Sequence, residues 1–142
     1  MAISFQPTKD FSRSADITFN NMRTYYEYYS VDWKQPKILE QIFRLENWDI
    51  IYDGKIVGAI RLQFDFDGCY LRDLQVSEEY QNQGIGAAAL QETMRIASRS
   101  GASQLKLRVF KISPAYGLYI RSGFTVSGED EKFFNMVQQI NY

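Results

Sequence analysis

The stretch Tyr70–Ala97 constrains the fold of this chain more than any other. Leu71–Val76 alternates apolar and polar residues, which predicts a strand. Gln81-Asn82-Gln83-Gly84-Ile85-Gly86 is a turn holding two glycines. Apolar residues then recur at helical spacing, with Leu90, Met94 and Ala97 on one face and Ala89, Thr93 and Ile96 beside them. Glu92, Arg95 and Arg99 take the opposite face, and Gly101 is placed to stop the helix. A second alternating run follows at Leu105, Leu107 and Val109. Strand, helix and strand in that order predict a right-handed parallel crossover. The strands ending at Val76 and Phe110 are therefore expected to be parallel neighbours.

This arrangement also has a chemical consequence. The first amides of a helix lack intrahelical acceptors and point back at whatever precedes them. The helix dipole adds about half a positive charge at that end. Glycine lets an anion approach the backbone closely. The turn thus reads as a phosphate holder, although a helix start whose glycines only permit a tight bend would use the same residues. It is not a P-loop, since no Gly-Lys-Ser/Thr follows. Nor is it the full dinucleotide fingerprint: the third glycine is missing, with Ala89 at the place where Gly or Ala may stand, and Gln104 and Lys106 occupy the region of the expected acid.

The remaining chain supplies the other strands and two more helices. Ala2–Gln6 alternates and ends at Pro7, and Thr8 or Asp10 can cap a helix. Phe11–Tyr29 has a helical pattern that is expected to break. Tyr25, Tyr26, Tyr28, Tyr29 and Trp33 crowd one segment; they fit either a cover for the core with wet hydroxyls or the aromatic wall of a pocket. Pro36 suits the first turn of a second helix, with Ile38, Leu39, Ile42, Phe43 and Leu45 as its buried stripe and Asn47 at its end. Strands follow on either side of Asp53-Gly54, a strong hairpin signal, with Ile56, Gly58, Ile60, Leu62 and Phe64 on one face of the second. Asp67-Gly68 leads into the strand ending at Val76, completing an antiparallel meander. Ser113 and Pro114 open a short helix closed by Ser122-Gly123, and a last hairpin joins Phe124–Ser127 to Phe133–Gln138.

Composition excludes several chemistries. The chain has 142 residues, 45% of them hydrophobic, which suits one domain over residues 1–142. It contains no histidine and one cysteine, Cys69. Histidine-dependent nucleophile machinery is therefore absent and the usual zinc sites cannot form, so no metal is expected. Any general base must be a carboxylate, a tyrosine, a lysine or water. A net charge of −1 without a long run of one sign argues against nucleic acid or an anionic membrane as a partner. The lone cysteine, with no apolar span and no leader pattern, leads to the expectation of a cytoplasmic protein.

Two motifs resemble those of the GNAT superfamily of N-acetyltransferases. Leu74-Gln75-Val76 followed by Tyr80-Gln81-Asn82-Gln83-Gly84-Ile85-Gly86 is similar to the family's acetyl-CoA signature: Leu-x-Val, then Gln/Arg-x-x-Gly-x-Gly/Ala opening a helix. Ala115-Tyr116-Gly117-Leu118-Tyr119-Ile120-Arg121-Ser122-Gly123-Phe124 resembles its Ala-x-x-Leu-Tyr-x-x-x-Gly-Phe. The resemblance implies an α/β (α+β) fold: a mixed central sheet built from an antiparallel meander plus one parallel crossover with splayed strands, flanked by helices.

The same resemblance implies the site. Backbone amides of Gln81, Asn82, Gln83, Gly84, Ile85, Gly86 and Ala87 would hold the pyrophosphate of acetyl-CoA. Leu74, Gln75 and Val76 would offer backbone groups to the pantetheine arm and acetyl carbonyl, with Ser113, Tyr116 and Tyr119 also on the cofactor side. Tyr119 would protonate the departing thiolate, although a core ring that only covers the arm fits too. Ser113 stands where the family often has Asn. Tyr70 stands where many members carry a glutamate that serves the amine proton, leaving Tyr70, Asp73, Glu78 or a water chain as the base, or an amine that arrives already neutral. Arg72 shares a strand face with Tyr70 and could meet a substrate carboxylate or simply be solvated. The implied partners are acetyl-CoA and an amine acceptor, with a homodimer through Phe133–Ile140 suggested by that strand's edge character. A non-catalytic acyl-CoA-binding module is the rival reading.

Overall fold

A computed structural model describes residues 2–141. Seven strands form one sheet in the order β1-β2-β3-β4-β5-β7-β6. They are β1 (Ile3–Pro7), β2 (Glu46–Tyr52), β3 (Lys55–Asp65), β4 (Gly68–Val76), β5 (Gln104–Phe110), β6 (Thr125–Glu129) and β7 (Phe133–Gln139). The helices are α1 (Phe11–Tyr28), α2 (Gln35–Ile42), α3 (Ile85–Arg99) and α4 (Ala115–Arg121). The first four strands pair antiparallel, and β4 pairs parallel with β5, as the crossover rule requires.

Local chemistry explains the connections. Asp53 and Gly54 both adopt positive φ, 49° and 82°, as a two-residue turn with right-handed twist needs. The second hairpin works differently: Asp65 Oδ1 accepts from the amides of Asp67 and Gly68 at 2.8 and 3.0 Å. Asp10, not Thr8, caps α1 by accepting from the Arg13 amide, while the Thr8 hydroxyl donates to Asp49 at 2.9 Å. Gly101 takes positive φ just beyond α3.

The helices cover opposite faces of the sheet. On one, Ile85, Ala89, Leu90 and Ala97 of α3 pack with Tyr119 of α4 on Leu71, Leu105, Leu107 and Met136. On the other, Ala15 and Tyr26 of α1 and Ile38 and Ile42 of α2 pack with Phe110. Tyr25 and Tyr29 stack on Phe110 at 5.7 and 4.9 Å, so these two tyrosines serve the core.

Several expectations change. Phe11–Tyr28 is one unbroken helix, because its buried side adds to Tyr26 the small residues Ser14, Ala15 and Thr18, which the apolar periodicity does not register. The second helix ends at Ile42 and Phe43 is exposed; Asn47 belongs to β2 and reaches back to donate to the Ile42 and Leu45 carbonyls at 2.9 and 2.8 Å. Residues Val57–Leu62 of β3 are buried on both faces, not one. β7 lies between β5 and β6 and so is no sheet edge; the edge argument for a dimer through Phe133–Ile140 has no basis in this topology.

Candidate active site

The two parallel strands part company. β4 and β5 pair only through Cys69, Tyr70 and Leu71 with Leu105, Lys106 and Leu107. Beyond that, Leu74–Val76 and Val109–Phe110 share no pairing among the described residues. The cause lies on the other side of β4. Arg61 pairs with Asp73 but Leu62 with Leu71, which leaves Arg72 as an extra residue, a β-bulge. Bulges bend a strand and increase its twist. Ser77 donates its amide to the Val57 carbonyl at 2.8 Å. Strand alternation then turns the backbone of Gln75 towards β3 and the backbones of Leu74 and Val76 towards the gap.

The gap is braced from α1. Asn21 Nδ2 donates to the Val76 carbonyl at 2.8 Å and to Gln75 Oε1 at 3.3 Å. Gln81 Nε2 donates to the same Val76 carbonyl at 2.9 Å. The buried Gln75 thus contributes its side chain to this brace.

The glycine turn sits at the mouth of the gap. Gln81, Asn82, Gln83 and Gly84 are all exposed. Asn82 and Gly84 adopt left-handed conformations, with φ of 62° and 82°. The first amide to find a helical acceptor is that of Ala88, which donates to the Gly84 carbonyl at 3.1 Å. The amides of Ile85, Gly86 and Ala87 precede that ladder and occupy the positive end of α3. Gly86 faces α4, where an added Cβ would lie 3.4 Å from Leu118 Cδ2.

α4 flanks the gap from the other side. Ser113 Oγ accepts from the Ala115 amide at 3.2 Å, so this hydroxyl is engaged at the start of the helix. Tyr116 leans on Phe134 at 4.9 Å. Tyr119 is 6% exposed and sits edge-on to Phe124 at 5.8 Å. Burial, reinforced by the negative charge of Asp73, holds its phenol well above the ordinary tyrosine range. Tyr26 is raised by the same two causes, partly offset by Arg61.

Asp73 is therefore electrostatically linked to tyrosines on both faces of the sheet. Its Oδ2 is held by Arg61 Nη1 at 3.1 Å. Arg61 is fully buried and also donates to Asn47 Oδ1, Thr18 Oγ1, and the carbonyl and hydroxyl of Ser14. Asp73 Oδ1 has no hydrogen-bond partner among the described residues. Tyr70 lies on the paired side of the parting strands, opposite Lys106. Its ring is flanked by Arg72 at 4.9 Å and Lys106 at 5.9 Å, and burial raises its phenol against the pull of these cations.

Asp73 opens onto a cleft of about 390 Å³ between the sheet and the first two helices, lined by Tyr26, Trp33, Ile38, Arg72 and Gln63. Tyr26 and Trp33 thus wall this cleft. Tyr28 and Tyr29 line a second, wider cleft of about 560 Å³, together with Ser30, Lys111, Ile112, Glu131 and Lys132.

The family profile described as the acetyltransferase (GNAT) family matches residues 15–124. The chain belongs to the acetyltransferase (GNAT) family. It is thereby an acyltransferase. This GNAT protein is 28% identical over 124 residues to spermidine N(1)-acetyltransferase of Thermoplasma acidophilum, a match that spans 79% of this chain and 77% of that one. Its fold is similar to that of the PaiA N-acetyltransferase of Thermoplasma acidophilum in complex with coenzyme A, at a TM-score of 0.76 and 20% identity over 98% and 99% of the two chains. It is also similar to a GNAT acetyltransferase of Elizabethkingia anophelis with acetyl-CoA bound, at 0.75 and 18% over 96% and 97%.

Two site residues of this GNAT chain escape sequence reading. Arg61 sits in an alternating strand where a charge reads as outward-facing; the signal against that reading is that Val57–Leu62 is otherwise wholly apolar. Asn21 carries no local signal at all.

Proposed function

We propose that this GNAT acetyltransferase moves the acetyl group of acetyl-CoA to a primary amine by direct attack, with Tyr119 as general acid. The parting of β4 and β5 beside the exposed glycine turn carries this reading. The Gln81 amide, expected among the phosphate donors, already donates to the Glu78 carbonyl at 3.2 Å; the amides from Asn82 to Ala87 would face an anion at the helix start and suit a pyrophosphate. The amides of Leu74 and Val76 point into the gap, where a thioester carbonyl can be polarised. The Val76 carbonyl is already occupied by Asn21 and Gln81, so its amide is the freer partner. Ser113 and Tyr116 border the same opening from α4.

The chemistry balances without a covalent enzyme intermediate. The amine nitrogen forms a bond to the acetyl carbon, and the carbon–sulfur bond breaks. Tyr119 gives its proton to the leaving sulfur, and the amine loses one. Asp73 is the better candidate to receive the amine proton than Tyr70. It has a free carboxylate oxygen on the cleft and lies close enough to Tyr119 to raise its phenol. A phenol raised above its ordinary value, as in Tyr70, stays protonated near neutral pH and cannot accept.

Calorimetry with acetyl-CoA followed by thiol release over a panel of amines tests the proposal. Binding together with release on at least one amine is the expected result. Binding without release on any amine would return the non-catalytic reading, and absence of binding would remove both.

A further inference from the structure

The bulge in β4 does more than part the strands. On a regular strand, Arg72 and Asp73 would point to opposite faces. The extra residue lets both line the same cleft. They do not pair with each other: Asp73 turns Oδ2 to Arg61. Arg72 has no carboxylate within ion-pair distance among the described residues. Its guanidinium is instead set over the Tyr70 ring at 4.9 Å, with Lys106 on that same ring. The sheet side of the cleft therefore presents one anionic oxygen and one cation from neighbouring residues, neither of them neutralised by the other, while Glu40 and Arg44 add one charge of each sign from the helix side. Trp33, Ile38 and Tyr26 form an apolar wall beside them.

From this juxtaposition we propose that the acceptor is a free amino acid, whose amine is received at Asp73 and whose carboxylate is read by Arg72. The inference rests on the transferase reading above. An amine and a carboxylate separated by one carbon match two opposite charges on adjacent residues, and a guanidinium suits a carboxylate's two oxygens. The apolar wall takes the side chain. A polyamine would bring a second cation into a cleft lined by two guanidiniums, Arg72 and Arg44, with Glu40 as the one carboxylate besides Asp73. The relative that acetylates spermidine is only 28% identical, so its acceptor does not transfer automatically. Tyr70 becomes the platform that holds the guanidinium in place.

Thiol release is measured with L-phenylalanine, L-leucine and L-lysine, with the decarboxylated amine of each, and with spermidine. The expected kcat/KM ratio of amino acid to decarboxylated amine is about 100, the size of a charge-assisted contact. Arg72→Ala collapses that ratio towards one, and Arg72→Lys retains part of it. Calorimetry of L-phenylalanine on the coenzyme A-bound protein reads the same site without turnover. Spermidine or the decarboxylated amines working as well as the amino acids would overturn the proposal while leaving the transferase intact. So would an Arg72→Ala variant that lowers both substrate classes alike, or amino acids that neither bind nor react. Failure of acetyl-CoA itself to bind would be a failure of the underlying reading instead.

Discussion

Arg61 Nη1 lies 3.1 Å from Asp73 Oδ2, and the same guanidinium ties together α1, β2 and β4 from a fully buried position. A buried cation is tolerated only when every donor is satisfied. Here the satisfaction is shared among a carboxylate, an amide, two hydroxyls and a carbonyl. The residue that fixes the α1 helix on the sheet is therefore the one that aims Asp73.

Replacing Arg61 with Leu should cost about 3–5 kcal/mol, because it strands the partners of a buried charge. Arg61→Lys should recover only part, since an ammonium cannot reproduce the fork. Chemical denaturation of the three proteins checks this ordering.

Tyr119→Phe should lower kcat by about 100-fold or more if the phenol delivers the proton. The acetyl-CoA dissociation constant should stay close to the wild-type value. Unchanged turnover, with Tyr116→Phe impaired instead, would move the acid to Tyr116.

Alkaline stability should report Tyr26 and Tyr119 together. Both phenols are raised above the ordinary 10.0, so the folded chain keeps protons that the unfolded chain loses. Their contribution is complete below that value and declines as pH rises above it. The Tyr26→Phe/Tyr119→Phe double variant should lose less stability than wild type between about pH 9 and 11. Denaturation midpoints across that interval decide it.

Gly58 and Gly84 should fail for different reasons. A Cβ at Gly58 would lie 2.1 Å from the Gln75 carbonyl oxygen, so Gly58→Ala must push β3 from β4 at a cost of about 1–3 kcal/mol. A Cβ at Gly84 meets nothing within 4 Å, but its φ is +82°. Gly84→Ala should therefore cost about 1–2 kcal/mol through the backbone alone. It should also weaken acetyl-CoA more than Gly58→Ala does for each unit of stability lost. Melting temperature and calorimetry separate the two.

Cys69 should be silent in the folded protein. It is fully buried, and burial together with Glu46 and Asp65 pushes its thiol up to about 12. A disulfide reagent at about pH 8 should find no thiol in the native chain and one after unfolding. Reaction of native Cys69 would show that the β4–β5 edge opens. A silent Cys69 also leaves a thiol-release assay free of background.

The architecture was legible wherever the signal was local. Asp53-Gly54, the strand–turn–helix from Leu71 to Ala97, and Gly101 each announce their conformation through residues a few positions apart. The exposed glycine turn ahead of α3 was legible for the same reason, because a glycine turn and a helix start are contiguous. The cleft around Asp73 was not. Arg72-Asp73 interrupts the alternation of Leu71–Val76, but the interruption becomes a bulge only through the register with β3. Arg61 reads as surface because its five donor contacts come from residues as far away as Ser14 and Asp73. The placement of β7 inside the sheet likewise follows from long-range pairing with β5.

The short ladder between β4 and β5 has a consequence for the whole molecule. With contact confined to Cys69–Leu71, the four-strand and three-strand halves of the sheet are joined by few rungs of their own. On the proposed reading, an extended guest lodged between them would supply further rungs. Occupancy should thus act as a mechanical cross-tie, and the loaded protein should resist unfolding by an amount that grows with the guest's concentration over its dissociation constant.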